Sequence, residues 1–160
     1  GSTYLVKSKG AAVDTAALLI TFYYIGIALG RFLSGILATK HTSRHLIKMG
    51  QSVILVAILL LILPLPFQVS AAALFLVGMG NGPIFPNMLH LTPEIFGEDI
   101  SQSVMGIQMA FSYVGIMVAP AIFGMIAQTI SASVFPYFIL VLYAIMVLAN
   151  VKMRKMESSL

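Results

Sequence analysis

The sequence predicts an all-α integral membrane protein with five transmembrane helices, on three observations. Apolar residues make up 59% of the 160 residues and charged residues 9%, against the roughly 25% with which a soluble domain covers its core. Mean hydropathy is +1.01. The charges gather at segment ends, leaving uncharged runs of 45 residues at 49–93 and 52 residues at 100–151. As one helix the shorter run would reach about 68 Å, more than twice the hydrocarbon thickness of a bilayer. Each run must therefore turn back inside itself.

The first span is expected near 14–39. Asp14 opens it, where a carboxylate suits the positive end of the helix dipole. Gly26, Gly30 and Ser34 recur every fourth residue and form the small-residue groove along which membrane helices approach. Arg31 lies about 13 Å inside Lys40, beyond comfortable snorkelling. A charge there is expected to face protein or a water-filled cavity. Pairing with a carboxylate or with helix-end carbonyls is the structural alternative. Tyr24 shares that face, seven residues earlier.

The second span, near 46–63, holds no glycine between Ser52 and Leu63, and Pro64-Leu65-Pro66 separates it from the third. The third, near 68–90, contains Gly78-Met79-Gly80-Asn81-Gly82-Pro83-Ile84-Phe85-Pro86. Glycine and proline at this density weaken or bend a helix. Such breaks persist in a membrane only where protein or a cavity satisfies the freed backbone groups. Asn81, about 14 Å from the nearer charged end, is the first candidate for touching a polar substrate. An interhelical hydrogen bond is its alternative role.

The fourth span is expected near 102–128, with Ser101 or Ser103 as N-cap. Gln108, Ser112 and Gly115 share one face, and Tyr113 and Pro120 lie deeper. The polar run Gln128 to Ser133 divides it from the fifth, near 134–151, which has no glycine between Val134 and Ala149. The first, third and fourth spans carry three glycines each, among them Gly26, Gly30, Gly78, Gly82 and Gly115. They are expected to form an inner layer, with the second and fifth as lipid-facing supports.

Lys40, Arg44 and Lys48 fall on the same side of a five-span chain as Lys152, Arg154 and Lys155, which makes that side cytoplasmic. Residues 1–13 are then an extracytoplasmic loop remnant, 14–155 a partial transmembrane bundle and 156–160 a cytoplasmic tail of a multi-pass protein of the cell membrane.

The net charge of +4 forms no basic stripe interleaved with aromatics, so no nucleic-acid partner is expected. The absence of cysteine excludes disulfides, thiolate metal sites and cysteine nucleophiles. His-Glu-x-x-His, Gly-x-Ser-x-Gly and paired intramembrane carboxylates are all missing, so neither an enzyme nor a cofactor or metal site is expected. His41 and His45 fall in the basic loop and are expected to be solvated. Pro93 and the membrane boundary stand between His90 and Glu94.

Residues 30–44, Gly-Arg-Phe-Leu-Ser-Gly-Ile-Leu-Ala-Thr-Lys-His-Thr-Ser-Arg, resemble the loop signature of the major facilitator superfamily, Gly-x-Leu-Ala-Asp-Arg-x-Gly-Arg-Arg. Gly35, Leu37, Ala38, Lys40 and Arg44 match, and Thr39 and Thr42 replace the acid and the second glycine. The run Gly80 to Pro86, then Leu91-Thr92-Pro93, Phe96-Gly97, Gly106-x-Gln108-x-Ala110 and Pro120-x-x-x-Gly124 is similar to the fucose-permease-like branch. The resemblance covers nearly the whole chain. It implies that the spans are the eighth to twelfth helices of a twelve-helix fold, whose missing N-terminal half is the partner and usually holds the proton-coupling carboxylates. Gly35, Lys40 and Arg44 would be the gating loop.

The function so implied is part of an ion-coupled symporter, moving a small polar solute such as a sugar by alternating access. Asn81, Gln108, Tyr24, Tyr113 and Arg31 would line its path. A drug or metabolite antiporter of the same superfamily is the alternative. Of another class, a five-helix membrane scaffold or assembly protein is the third reading. The chain begins Gly1-Ser2 rather than with Met, and a longer reading frame upstream is expected.

Overall fold

The computed structural model describes residues 13–63 and 66–157, and all regular structure among them is helical. In order these are α1 (Val13–Leu37), α2 (Ser43–Ile62), α3 (Phe67–Asn81), α4 (Ile84–Phe96), α5 (Glu98–Thr129), a 3-10 turn (Ala132–Val134) and α6 (Phe135–Glu157). Consecutive helices α3 and α4 make one apolar stretch, Gln68–Phe96, so among the described residues five stretches are long and apolar enough to cross a membrane. The expected remnant at 1–13 lies outside the described residues except for Val13. So do Pro64-Leu65 and positions 158–160 of the expected tail.

Several helix ends differ from expectation. The third span runs to Phe96 rather than 90, with Pro93 inside α4. The segment left between the expected third and fourth spans, 91–101, shrinks to Gly97, whose φ of 79° is the left-handed backbone that glycine adopts without strain. Helix α5 starts at Glu98 rather than near 102, because Glu98 and Asp99 themselves occupy its first turn, where carboxylates complement the dipole. Ser101 does not cap it; its hydroxyl donates to Glu98 O at 2.9 Å within the helix. Helix α2 begins at Ser43 rather than 46, and α6 continues through Glu157, past the expected boundary at 155.

Helix α3 lies between α1 and α2 and meets both at backbone distance. On the α1 side, Gly26 rests on the Phe75 carbonyl, Gly30 on that of Met79 and Gly78 on that of Tyr23. A Cβ on Gly82 would lie 2.6 Å from Ile27 O. The Met79 carbonyl is the acceptor that a residue at position 83 would normally satisfy, and Pro83 has no N–H to give. Gly30 lets α1 close over that orphaned oxygen, a setting for weak Cα–H···O contacts. On the α2 side, Gly50 and Gly80 face each other. A Cβ on either would stand 2.5 or 2.6 Å from the other's carbonyl oxygen.

Burial within the chain does not follow the expected division into inner and outer spans. Helix α2 buries Leu46, Ile47, Gly50, Ile54, Ala57, Ile58 and Leu61 and packs on α3, α4 and α6. It is as well buried as the α3–α4 stretch, although Leu55, Val56 and Leu59 on its other face are exposed. By contrast α5 buries only Ser101, Phe123 and Ala127, and its Gly106, Gly115 and Gly124 meet nothing within 4 Å. Glycine marks where two backbones touch; large aliphatics bury a helix equally well by interdigitating. The core has two centres, Ile54, Ile58 and Ile84 in one and Leu61, Ala73, Leu74, Phe123, Ala127 and Phe135 in the other. Phe123 and Phe135 meet edge to face at 5.2 Å, tying α5 to the start of α6. At 32 residues α5 is about 48 Å long, so it must tilt or project beyond the hydrocarbon.

Candidate solute cleft

A cleft of about 520 Å³ opens among α1, α2, α3, α5 and α6. Its polar lining is Tyr23 and Tyr24 from α1, Asn81 from α3 and Tyr143 from α6, and the remainder is apolar, including Ile54 and Pro120. Among the described residues, none that lines it carries a formal charge. Asn81 is the last residue of α3, immediately before the break at Gly82-Pro83. Its Nδ2 donates to the Tyr23 hydroxyl at 3.4 Å, a long bond that a ligand could readily replace. Tyr23 is set in place by the contact of Gly78 with its carbonyl, and its ring meets Tyr24 edge to face at 5.4 Å. Tyr24 is 63% exposed.

Of the five residues predicted from sequence to line a path, the cleft includes Tyr24 and Asn81. Arg31 is exposed and lies outside it, as does Tyr113 at 72% exposure on α5. Gln108 is engaged elsewhere: its Oε1 stands 3.0 Å from Thr92 Oγ1, linking α5 to α4. The Thr92 hydroxyl is also 3.1 Å from Met88 O and has one proton to give. Turning the Gln108 amide over lets Nε2 donate to Thr92 while Thr92 donates to Met88, which makes both contacts hydrogen bonds. Gln108→Leu is expected to lower stability by about 1 kcal/mol, with Thr92→Val similar and the double substitution less than additive. Thermal unfolding in detergent measures all three.

Of the small residues, Gly26, Gly30, Gly78 and Gly82 lie in the α1–α3 seam, and Ser34 Oγ accepts a 2.8 Å bond from Asn87 Nδ2 of α4. Gly115 touches nothing. Gly35 is likewise open, while Lys40 and Arg44 border a separate hollow with His41 and Glu94 at the charged end of the bundle. His41 and His45 are exposed and stack at 4.9 Å. Among the described residues no group of three or more histidines or carboxylates could hold a metal ion.

Sequence reasoning missed Tyr23, Tyr143 and Asn87. Aromatics within a span carry no mark that separates cleft lining from lipid contact. Asn87 had a usable signal: it stands four residues after Pro83, and its Nδ2 donates to the Pro83 carbonyl at 2.6 Å.

A family model described as Major Facilitator Superfamily matches residues 2–158. Among curated proteins and among solved structures nothing matches significantly.

Proposed function

We propose, since this chain belongs to the major facilitator superfamily of membrane transporters, that it forms the C-terminal side of a secondary transporter for a small neutral polar solute. The observation that carries the reading is the cleft whose described lining is uncharged, with Asn81, Tyr23, Tyr24 and Tyr143 at its wall. Amide and phenol groups exchange hydrogen bonds with hydroxyls, and aromatic faces cover the apolar C–H side of a sugar ring. A charged solute would find no counter-ion in the cleft, and desolvating it would be costly.

The solute would be released and captured as two halves rock about this site, driven by coupled ion flow as in a symporter. The Lys40–Lys48 end and the C-terminus would face the cytoplasm across the cell membrane. Arg31 and Tyr113, exposed on α1 and α5, would then meet the other half, and Gly35, Lys40 and Arg44 would gate the inner side.

Uptake of neutral sugars by cells expressing the full reading frame tests the proposal. Asn81→Leu is expected to reduce uptake about tenfold through the lost hydrogen bond and the unpaired solute group it leaves. The 160-residue chain reconstituted alone should stay at background, and accumulation by it would overturn the two-half reading. The aliphatic share of the lining supports a second reading, an exporter of lipophilic drugs or metabolites. Transport of such compounds that Asn81→Leu leaves unchanged would select it.

A further inference from the structure

We propose a second binding site, for a phosphate-bearing anion, at the charged end of the bundle where α2, α4 and α6 converge. A small cavity of about 70 Å³ lies there, lined by Arg44, Lys48 and Gln51 of α2, Leu91 and Ile95 of α4, and Asn150 with its neighbours on α6. That volume is close to two waters, room for the oxygens of one phosphate. Arg44, Lys48 and Gln51 stand at i, i+4 and i+7 and so share one face of α2. Among the described residues the lining combines two cations and two amides with no carboxylate.

Gln51 singles this cavity out. Its Nε2 is buried and has no acceptor among the described residues, and an amide donor left in that state calls for a partner. A phosphodiester supplies acceptor oxygens without donors, with a negative charge matched by Lys48. The position also favours a lipid as the source. The cavity joins the start of α2 to the last turns of α6, hence lies at the membrane boundary, and Leu91 and Ile95 offer apolar wall beside the polar groups. Basic pockets between transmembrane helices at that depth suit anionic headgroups. The site is separate from the solute cleft and does not depend on what the protein transports.

The test titrates the full chain in non-ionic detergent with phosphatidylglycerol, phosphatidylcholine or inorganic phosphate, with bound lipid read by native mass spectrometry. Saturation by one phosphatidylglycerol per chain is expected, with phosphatidylcholine about tenfold weaker. Lys48→Gln should weaken phosphatidylglycerol about fivefold, and Gln51→Leu should weaken it without changing charge. Lys152→Gln, a cation at the same end that does not line the cavity, should leave it unchanged. Displacement by inorganic phosphate at comparable concentration would support the anion site and make the free ion its occupant. Equal retention of both lipids, or wild-type binding by both variants, would overturn the proposal. Should a variant lose monodispersity, the wild-type titration decides: saturation supports the site and linear uptake overturns it.

Discussion

Gly30→Ala is expected to destabilise the protein by about 2 kcal/mol or more, and Gly30→Val to prevent a monodisperse fold. A single methyl on Gly30 would sit inside contact distance of the Met79 carbonyl oxygen and 3.0 Å from its carbon. Backbone atoms cannot swing aside as a side-chain tip does, so relief requires α1 to lift away from α3 along its length. Overpacking of this kind typically costs 1–3 kcal/mol. Lifting α1 would also uncover an oxygen that Pro83 already leaves without its helical donor. Gly106→Ala is the control: an added Cβ would meet nothing within 4 Å beyond its own helix, so it should be neutral or stabilise by up to about 1 kcal/mol through helix propensity. Thermal unfolding by far-UV circular dichroism, with size exclusion for monodispersity, separates the two. Equal behaviour would refute the seam as the source of stability.

Asn87→Leu should cost about 2–3 kcal/mol although it keeps the branching and heavy-atom count of the side chain. Asn87 is 4% exposed, and its Nδ2 donates both to Ser34 Oγ at 2.8 Å and to Pro83 O at 2.6 Å. One side chain thereby anchors α4 to α1 and to the break that starts α4. The substitution deletes two hydrogen bonds and buries an unsatisfied hydroxyl, and the latter is the larger loss. Ser34→Ala on its own should cost about 1 kcal/mol, and adding it to Asn87→Leu should recover part of the loss, since the orphaned hydroxyl goes. Asn81→Leu belongs in the same experiment. Its bond is 3.4 Å long and exposed, so unfolding should shift by under about 0.5 kcal/mol while solute handling suffers. The two asparagines would thus separate stability from function within six positions of one span.

That contrast also measures how far the sequence could be read. Span number and class follow from charge spacing, because burying an ionised group in hydrocarbon is too costly to be hidden by tertiary context. The groove of Gly26 and Gly30 is visible as a period of four, and the break at Gly82-Pro83 as composition. Which backbone fills the groove is a long-range fact, and no local pattern carries it. Gly50 shows the consequence: set between Lys48 and a run of aliphatics, it reads as the edge of a bland span, yet it is where α2 meets Gly80. Conversely Gly115 shares a face with Gln108 and meets nothing. Depth arithmetic singled out Asn81 and the face shared with Arg31 singled out Tyr24, and both border the cleft. Neither could tell Gln108, consumed by Thr92, from an amide left for a ligand, because satisfaction of a polar group depends on the helix opposite.

The placement of α3 has a mechanical consequence. Helices separated by layers of side chains can slide as those side chains change rotamer, which is how packed helices shear by an ångström or two. Here α3 is held backbone against backbone on both flanks, by Gly26, Gly30 and Gly78 on one and by Gly50 with Gly80 on the other. No rotamer change can accommodate a displacement there. Helices α1, α3 and α2 therefore behave as a laminate that translates and tilts in one piece. Compliance is left to the joints built from side chains alone, chief among them those that attach α5.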